Sequence, residues 1–404
     1  MRIVVAGNGL SGTMVAKTVR ELDNSAEIKI YSEEKFQYYP RPNLIDFLAG
    51  LLPLEKVFTF SPDWANRQKI ELNLERRLVS LELEKQRVVL EDGETVPFDY
   101  LVLATGSVPF APPIKGLDKS GVFYFRTLDD ALNLIDYLQS RPEVLVLGGG
   151  LLGLELARAL RTRGVEKVTV VEVFDRLLPR QLDQEAARLL QRKLESAGVN
   201  FWLNRQAEEI IGEGSVSGLR FKDGSLKPTG AVILASGVRP RVELAADGGL
   251  KINRGVVVDD YLRTSHPRVL AAGDVAEHRG KVYGLIPASF DQARALAYNL
   301  CGQVKKYEGT VPSSTLKVAG VYLTSIGQVF PEGAEFEVLV KKDEEAGLYK
   351  KLVLRNGVCV GAIWLGTKRG VQEVVRLIQS GREISRYKAD ILEENFDFSQ
   401  IFER

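Results

Sequence analysis

The chain carries the same glycine-rich motif twice, and this duplication constrains its fold more than any other feature. The first copy occupies residues 2–12 and the second residues 143–153. Each begins with an apolar run and continues into Gly-X-Gly-X-X-Gly. All three glycines shift by one common offset, from Gly7, Gly9 and Gly12 to Gly148, Gly150 and Gly153. A repeat of this kind indicates two structurally equivalent units.

Each motif lies between a strand and a helix. Helical patterns follow the glycines at residues 13–22 and 154–163, and second apolar strands follow at 28–31 and 168–172. This alternation of strand, helix and strand predicts two parallel sheets.

A second pair of repeats closes each unit. Residues 100–109 resemble residues 231–240, which predicts a further strand in each sheet. Turn sequences lie between the motif and this strand, and they predict a small antiparallel meander in each unit. These turns are Asp92-Gly93 and Asp223-Gly224.

The pattern changes after the second unit. A helix is predicted at about residues 289–300, then several strands, and then a further helix at 371–380. The strands are predicted at residues 315–327, 336–340, 349–354 and 358–365. This order is typical of an α+β domain. The tail at residues 387–404 is charged and aromatic, which fits either a docking arm or a helix packed on its own domain.

We therefore predict an α/β fold with two Rossmann-like dinucleotide-binding domains and a C-terminal α+β interface domain with a helical tail. The first domain combines residues 1–111 with 241–308, the second spans 112–240, and the third spans 309–404. A chain of 404 residues has room for this arrangement.

A Gly-X-Gly-X-X-Gly loop between strand and helix suits a pyrophosphate. The first glycine makes a tight turn, the second lets the backbone approach the phosphates, and the third lets the helix pack on the strand. The helix N-terminus then presents N–H groups and a partial positive charge to the anion. We therefore expect one dinucleotide at each motif.

The acidic residue after the second strand indicates which nucleotide binds. In the second unit this is Glu172, whose carboxylate can accept hydrogen bonds from a ribose and would repel the 2′-phosphate of NADPH. NADH is therefore expected over NADPH, although Arg176 and Arg180 are near enough in sequence to soften the preference. In the first unit the stretch is Ser32, Glu33 and Glu34, which leaves the ribose partner open between the two glutamates.

Composition excludes several other classes of protein. The net charge of +1 gives no reason to expect nucleic acid as a partner, and no apolar run is long enough to span a membrane. The chain opens directly on a strand without a signal peptide, so we expect a cytoplasmic location. Two cysteines, Cys301 and Cys359, and two histidines, His266 and His278, predict no metal site. Reactions that ordinary side chains cannot carry out would therefore depend on a bound cofactor.

With both motifs, Ala104-Thr105-Gly106 and Ala272-Gly273-Asp274 in this order, the chain resembles the pyridine-nucleotide–disulfide oxidoreductases. Residues 38–44 and Leu48-Ala49-Gly50 are similar to the branch of NAD(P)H:rubredoxin oxidoreductases and the flavin-binding part of NADH-dependent nitrite reductase. Residues 316–321 and 377–382 extend the likeness into the C-terminal domain.

The resemblance implies cofactors and roles. FAD would bind at the first motif and NADH at the second. Asp274 would hydrogen-bond the ribityl chain of FAD, and the helix starting near Ala288 would direct its positive end at the flavin. Arg41 would lie near the FAD phosphates, or it is a surface arginine in a proline-rich loop. Glu155 would lie near the nicotinamide as the one candidate catalytic residue, or it is a first-turn residue favoured by the helix dipole.

The resemblance assigns further residues to the cofactor sites, with Arg126 near the junction of the two domains. These residues are Leu10, Ser11, Ser32, Pro42, Val79, Ala104, Thr105, Gly106, Arg126, Leu151, Leu152, Gly237, Gly273 and Pro287.

The chain also departs from the family. Pro42 stands where the single-cysteine branch has its redox cysteine, which argues against disulfide, peroxide and persulfide chemistry. Asp46 replaces a lysine of the ferredoxin-reductase branch, so an ion-pair role for Glu155 is in doubt. Phe110 replaces a frequent arginine.

The expected activity is electron transfer from NADH through FAD to a redox protein such as rubredoxin or ferredoxin. One alternative is the FAD- and NADH-handling subunit of a larger metal-containing oxidoreductase. An NADH oxidase and a non-enzymatic redox sensor are the others. The partner is therefore an acceptor protein or a set of partner subunits, in a homodimer or a hetero-complex.

Overall fold

The computed structural model of the protein describes residues 1–140, 143–318 and 320–402. The chain divides into two compact units. Unit 1 comprises Met1–Phe47, Leu52–Val108 and Val238–Thr310. Unit 2 comprises Leu48–Leu51, Pro109–Gly237 and Val311–Arg404, so the second glycine motif and the C-terminal residues share one unit.

Unit 1 is built on a five-stranded parallel sheet. Its strands, numbered in chain order, are β1 (Arg2–Ala6), β2 (Glu27–Tyr31), β3 (Ile70–Asn73), β7 (Tyr100–Leu103) and β19 (Val269–Ala271). The spatial order is β19-β7-β1-β2-β3, and every pair is parallel. The interior residues of β1, β7 and β19 are all apolar and buried, as expected for a parallel sheet covered on both faces, whereas the edge strand β3 is partly exposed.

Helices and smaller strands complete unit 1. Its helices are α1 (Leu10–Leu22), α2 (Asn43–Leu48, which ends at the unit boundary), α3 (Trp64–Arg67), α7 (Glu243–Asp247) and α8 (Ile286–Leu300). The short strands are β4 (Leu78–Glu82), β5 (Arg87–Leu90), β6 (Thr95–Pro97), β18 (Val256–Val258) and β20 (Ala276–His278), with β8 (Ser107–Pro109) and β17 (Val238–Pro240) at the unit boundaries. The predicted meander is confirmed as the antiparallel sheet β4-β5-β6.

Helix α8 starts earlier than its pattern predicted, at Ile286. Pro287 lies in its first turn, where the missing N–H of a proline costs nothing because that group has no partner within a helix.

Unit 2 repeats the same parallel sheet. Its strands are β9 (Val122–Tyr124), β10 (Glu143–Leu147), β11 (Lys167–Val171), β12 (Val199–Trp202) and β16 (Ala231–Leu234). The order β12-β11-β10-β16-β9 matches that of unit 1, except that the fifth strand comes from an earlier part of the chain. Around it lie α4 (Leu128–Tyr137), α5 (Leu151–Arg163), α6 (Gln184–Ser196) and the meander β13 (Ala207–Ile211), β14 (Gly218–Phe221) and β15 (Leu226–Pro228). The predicted duplication is confirmed.

The C-terminal part of unit 2 is an antiparallel sheet with one long helix. Its strands are β21 (Ser313–Val318), β22 (Val321–Gly327), β23 (Phe336–Asp343), β24 (Leu348–Arg355) and β25 (Val358–Leu365), and α9 (Val371–Ser380) follows. The order is β21-β22-β25-β24-β23. The single strand predicted over 315–327 is wrong, because the chain reverses at Gly320, whose φ of 77° favours glycine. Ala319, part of that prediction and of the family motif, lies outside the described residues.

For residues 387–402 of the tail, the predicted packing on its own domain is confirmed, whereas the predicted helical tail and the alternative of a docking arm are wrong. Within them only α10 (Ser399–Phe402) is α-helical. Ile391, Phe398 and Ile401 are buried in one apolar cluster with Leu352 and Trp364 of the C-terminal sheet, so the tail is not a free docking arm. Burial of these side chains stabilises the packed tail, by roughly 1.5–3 kcal/mol for each large apolar group. Residues 403 and 404 lie outside the described part.

Candidate functional site

The first glycine motif contains glycines that the fold itself requires. Gly7 has a φ of 113°, and a Cβ there would lie 2.3 Å from the carbonyl oxygen of Ala104. A Cβ on Gly12 would lie 2.0 Å from the carbonyl oxygen of Gly7. Neither position tolerates a side chain, because backbone atoms already occupy the space.

Gly9 is different, since nothing in the fold requires a glycine there. Its φ of −77° and ψ of −172° are open to any residue, and a Cβ would meet nothing within 4 Å. Gly9 is also the N-cap of α1, and no side chain caps this helix. The space above Gly9 therefore remains open in front of an uncapped helix N-terminus, which suits a phosphate.

The second motif repeats this arrangement. A Cβ on Gly148 would lie 2.5 Å from the oxygen of Ala235, and one on Gly153 would lie 1.9 Å from the oxygen of Gly148. Gly150, with a φ of −79°, again has nothing within 4 Å and caps α5 without a side-chain bond. Leu10 and Ser11, like Leu151 and Leu152, form the first helical turn beside this space. Both loops fit the pyrophosphate of a dinucleotide.

Glu172 follows β11 and is held against the second motif. Its side chain is buried, with 7% of the residue exposed. One carboxylate oxygen accepts the N–H of Gly149 at 2.6 Å, and the other accepts the N–H of Phe174 at 3.0 Å. Each oxygen keeps a further lone pair, so the carboxylate can still accept a ribose hydroxyl.

In unit 1, Ser32 occupies the position of Glu172. The N–H of Gly7 bonds to Tyr31 as that of Gly148 bonds to Val171, which aligns the two strand ends. The Ser32 hydroxyl accepts the N–H of Glu34 at 3.2 Å.

The two carboxylates that follow Ser32 are both paired. Glu33 forms an ion pair with Arg241, and Glu34 forms one with Arg41. Tyr39 also donates to Glu34, and the Arg41 guanidinium lies 4.8 Å from the Tyr39 ring centroid. Arg41 is thus oriented by its own loop, and its role at a phosphate stays a prediction, as does the choice between Glu33 and Glu34.

Asp274 lies where β19 ends. Ser107 donates its hydroxyl to the Asp274 carboxylate at 2.8 Å, which brings together two turns that are far apart in sequence. Gly273 has a φ of 85°, and its N–H donates to the Gln292 side chain of α8 at 2.7 Å. A Cβ at Gly273 would lie 2.4 Å from the Ser11 hydroxyl. These contacts bring the Gly273-Asp274 turn, α1 and α8 together in unit 1.

Sequence reasoning missed Ser107 and Gln292. Ser107 directly follows Gly106, so its place after the closing strand was a usable signal. Gln292 is a buried polar residue in α8, with 1% of the residue exposed, and its sequence position alone gave no such signal.

The other predicted residues of unit 1 lie in several different elements. Thr105 donates its hydroxyl to the carbonyl of Arg241 at 2.7 Å, next to Ala104 and Gly106 at the end of β7. Pro287 and Ala288 lie in the first turn of α8, which no side chain caps. Val79 is 41% exposed on β4 at a shift in strand register, and Pro42 immediately precedes α2.

The remaining predicted residues belong to unit 2. Glu155 lies in the second turn of α5 and is partly buried. Arg126 immediately precedes the capping box of α4, formed by Thr127 and Asp130. Gly237 has a φ of 104° in the turn after β16. The structure places these residues in their elements without showing a ligand role.

Arg176 and Arg180 follow Glu172 and differ in their surroundings. Arg176 donates to the carbonyls of Leu182 at 3.2 Å and Pro179 at 3.3 Å, and it pairs with Asp175 at 2.9 Å. Its guanidinium is therefore hydrogen-bonded within its own loop. Arg180 is exposed.

The cysteine thiols are not activated. Burial raises the pKa of Cys359 to about 12, and burial also raises the pKa of Cys301. Both thiols are therefore protonated at neutral pH and are poor nucleophiles. His278 is buried and bonds to Asp260 at 2.9 Å. In the part of the chain that the structure describes, no group of histidine, cysteine and acidic residues is arranged to hold a metal.

Among the helices of the described residues, none has the length and apolar character needed to cross a membrane.

Comparison with known families identifies two matching regions. The family described as pyridine nucleotide-disulphide oxidoreductase matches residues 1–293. The domain described as the C-terminal domain of rubredoxin NAD+ reductase matches residues 312–382.

Curated relatives match nearly the whole chain. Nitrite reductase (NAD(P)H) of Bacillus subtilis is 38% identical over 95% of this chain and 48% of its own length. Rubredoxin-NAD(+) reductase of Pseudomonas putida is 31% identical over 90% of this chain and 100% of its own length. The chain spans about half the length of the nitrite reductases it matches.

Solved structures share the fold. NADH:rubredoxin oxidoreductase from Clostridium acetobutylicum aligns with a TM-score of 0.81 at 26% identity, over 98% of this chain and 99% of that one. A ferredoxin reductase from Rhodopseudomonas palustris aligns with a TM-score of 0.89 at 27% identity, over 99% of both chains.

Proposed function

The chain belongs to the pyridine nucleotide-disulphide oxidoreductase family, and from this premise we propose that it is an FAD-dependent oxidoreductase which passes electrons from NADH to a redox protein of the rubredoxin or ferredoxin class. The fold, the family and the match of residues 312–382 to a rubredoxin reductase domain all support this proposal. So do relatives named NADH-rubredoxin oxidoreductase and rubredoxin-NAD(+) reductase.

One observation carries the proposal. Gly9 and Gly150 are glycines that neither backbone angles nor packing require, and each leaves open space in front of an uncapped helix. Two such places in one chain support two dinucleotides, FAD at the first and NADH at the second. When bound, FAD supplies two-electron exchange with a nicotinamide and one-electron exchange with an iron protein.

The residues of the chain bind and orient these groups. Asp274, whose carboxylate accepts a hydrogen bond from Ser107, would accept a further hydrogen bond from a polyol chain. The uncapped N-terminus of α8, with Pro287 and Ala288, would direct a positive potential at an anionic ring. Positioning dominates, because hydride transfer between two cofactors requires no protein acid or base. Glu155 is proposed to lie near the nicotinamide.

We propose that the second site prefers NADH to NADPH. Glu172 is buried, and backbone N–H groups hold its carboxylate in place. A 2′-phosphate about 4 Å away would be opposed by roughly 1 kcal/mol in water and about 4 kcal/mol at an effective dielectric of 20. Arg176 is committed to its own loop and to Asp175, which leaves Arg180 as the residue able to soften the preference.

Disulfide reduction is not part of this proposal. Pro42 occupies the place where the family's single-cysteine branch has its thiol, and burial raises the pKa of both cysteines.

The test is steady-state reduction of an added acceptor. FAD-loaded protein is mixed with NADH and either a rubredoxin or a plant-type ferredoxin, and acceptor reduction is followed by its visible spectrum. We expect turnover with one of the two proteins. If the flavin is reduced by NADH but neither acceptor receives electrons, the acceptor assignment is wrong.

A second candidate function rests on the nitrite reductase relatives. The chain corresponds to about half of those proteins, and it is 38% identical to the nitrite reductase of Bacillus subtilis. The chain would then be the FAD- and NADH-handling part of a larger metal-containing oxidoreductase. Native purification distinguishes the two: stable association with a metal-containing partner supports this alternative, and a free chain active with rubredoxin supports the first.

A further inference from the structure

Residues 173–183 connect β11 to α6 and are called here the nucleotide loop. The loop follows Glu172, so its shape determines what the second site presents to a nucleotide. Leu178 donates its N–H to the carbonyl of Gly149 at 3.0 Å, inside the glycine motif. A Cβ on Gly149 would lie 3.2 Å from Leu177. The loop is therefore in direct contact with the motif.

The far end of the loop is held by the C-terminal sheet. Tyr349 and Lys351 of β24 both donate to one carboxylate oxygen of Asp183, at 2.7 and 2.9 Å. Ser325 of β22 donates its hydroxyl to the carbonyl of Gln181 at 2.8 Å. Three side chains of the C-terminal sheet thus bind the loop at two positions near its end, Gln181 and Asp183.

Strand alternation brings these side chains to one face. Tyr349 and Lys351 are two residues apart on β24, while Lys350 between them faces the tail and donates to Leu392 at 3.0 Å. Tyr349 is 2% exposed and Lys351 is 7% exposed. Burying an ammonium group is costly unless a partner compensates it, and Asp183 is that partner.

Asp183 serves the loop in two ways. Its other carboxylate oxygen accepts the N–H of Ala186 at 3.1 Å and caps α6. Burial would raise the pKa of Asp183, but the hydrogen bonds from Lys351, Tyr349 and the Ala186 N–H outweigh burial and lower it. The carboxylate is therefore ionised at neutral pH and can pair with Lys351.

The three side-chain hydrogen bonds from the C-terminal sheet to Asp183 and Gln181, called here the loop clamp, also act on Arg176 through the backbone. Arg176 donates to the carbonyl of Leu182, next to Asp183, and to that of Pro179. A displacement at the end of the loop would therefore also displace the hydrogen bonds by which Arg176 holds the middle of the loop.

We propose that Tyr349, Lys351 and Ser325 are positioning residues for the nicotinamide nucleotide: they fix the nucleotide loop through Asp183 and Gln181, so that the C-terminal domain sets the affinity for NADH. The proposal rests on the proposed function, because it assumes that the second motif binds NADH. It gives the C-terminal sheet a role at the NADH site, separate from any role in binding an acceptor.

The test uses full-length, FAD-loaded protein with Tyr349→Phe, Ser325→Ala or Lys351→Met. The dissociation constant for NAD⁺ is measured by calorimetry, and kcat and KM for NADH are measured with ferricyanide as acceptor. We expect the NAD⁺ dissociation constant and the NADH KM to rise together, because a displaced loop no longer holds Glu172 and the glycine motif in place. The rise should be about tenfold for Lys351→Met, which corresponds to about 1.4 kcal/mol of binding free energy, and less for the two milder variants. The kcat and the FAD content should stay at wild-type levels.

Lys342→Met is the matched control. Lys342 pairs with Glu185 at 2.9 Å, so it joins the same sheet to α6 without contacting the loop, and the pair is about half exposed. We expect wild-type NAD⁺ affinity from this variant. If the variants of Tyr349, Ser325 or Lys351 lost FAD content or kcat to the same extent as NAD⁺ affinity, the substitutions would have destabilised the protein in general. That result would overturn the proposal.

Asp183→Asn separates the clamp from the helix cap. Asparagine caps helices well but carries no charge for Lys351. We expect this variant to weaken NAD⁺ binding as Lys351→Met does, and the double variant to be no weaker than either single one. If Lys351→Met does not fold, Tyr349→Phe and Ser325→Ala decide the question.

The outcomes separate the two proposals. Wild-type affinity in all loop-clamp variants would overturn this inference and leave the proposed function intact. A wild-type protein that binds no NAD⁺ would overturn the proposed function, and this inference with it.

Discussion

Gly9 and Gly150 adopt backbone angles that any residue can adopt, whereas Gly12 and Gly153 pack directly against backbone oxygens. The same residue type therefore serves two purposes within a few positions. One glycine of each pair leaves room for a ligand, and the other lets the helix approach the strand. This distinction can be tested one methyl group at a time.

The Gly150→Ala variant should fold like the wild type but bind NADH more weakly. Its Cβ meets no protein atom within 4 Å, so the free energy of unfolding should stay within about 1 kcal/mol of wild type. The same methyl would occupy space for the pyrophosphate, and NADH affinity should fall by about tenfold or more. Thermal unfolding and NAD⁺ calorimetry measure the two effects.

Gly153→Ala is the comparison. Its Cβ would lie 1.9 Å from the oxygen of Gly148, so the protein should be strongly destabilised. Equal stability of the two variants would show that the glycines do not differ in the way described.

Glu172→Arg should shift selectivity from NADH towards NADPH. The substitution removes the carboxylate and introduces a cation where a 2′-phosphate would lie, which reverses an electrostatic term of roughly 1–4 kcal/mol. The ratio of kcat/KM for NADPH over that for NADH should rise by at least about tenfold. Arg180→Ala should change this ratio less, because Arg180 is exposed. An unchanged ratio in Glu172→Arg would mean that the ribose binds elsewhere.

At the scale of elements, strong periodicity predicted strands and helices well. The parallel strands, both meanders, the strand Val358–Leu365 and the helix Val371–Ser380 are confirmed. One error was local, because the strand predicted over 315–327 is interrupted by the turn at Gly320. The other arose where contacts distant in sequence decide the outcome. The tail packs through Ile391 and Phe398 on a sheet formed by earlier residues, and its own charged and aromatic pattern does not reveal this.

The turn before β18 shows an element held by a single carboxylate. Glu277 of β20 accepts the N–H groups of Arg254 and Gly255 and the side chain of Asn253, at 2.7 to 2.9 Å. The residue is 3% exposed. Burial would raise the pKa of Glu277, but these hydrogen bonds outweigh it and lower the pKa below the usual range.

Glu277→Gln should destabilise unit 1 by about 1–3 kcal/mol near neutral pH, since one oxygen cannot replace two. The folded-state pKa is lowered, so the contribution of the carboxylate is complete above its unfolded pKa of about 4.3 and is lost as the pH falls through the folded value. Urea unfolding at neutral pH and at about pH 3 should therefore show a large difference between variant and wild type that shrinks in acid.

The control is Glu71→Gln, which removes the ion pair between the exposed Glu71 and the partly buried Lys29 and should cost less than about 1 kcal/mol. If the difference in unfolding free energy between Glu277→Gln and wild type grew on acidification, the pKa of Glu277 would not be lowered in the folded state.

At the scale of the whole molecule, the duplication was the most informative feature of the sequence. Six glycines at one common offset predicted two equivalent sheets, and the strand orders β3-β2-β1-β7 and β12-β11-β10-β16 confirm this. The phosphate-binding loops were predictable because each is local in sequence. The contacts of Ser107 with Asp274 and of Tyr349 with Asp183 were not, because their partners lie more than a hundred residues apart.

The central claim is that one chain binds both FAD and NADH for electron transfer between them. Anaerobic titration of FAD-loaded protein with NADH, followed by the visible flavin absorption, tests it most directly. We expect one FAD per chain and loss of the flavin absorption at one equivalent of NADH, with NADPH acting much more slowly. A chain that takes up no FAD, or a bound flavin that excess NADH leaves oxidised, would contradict it.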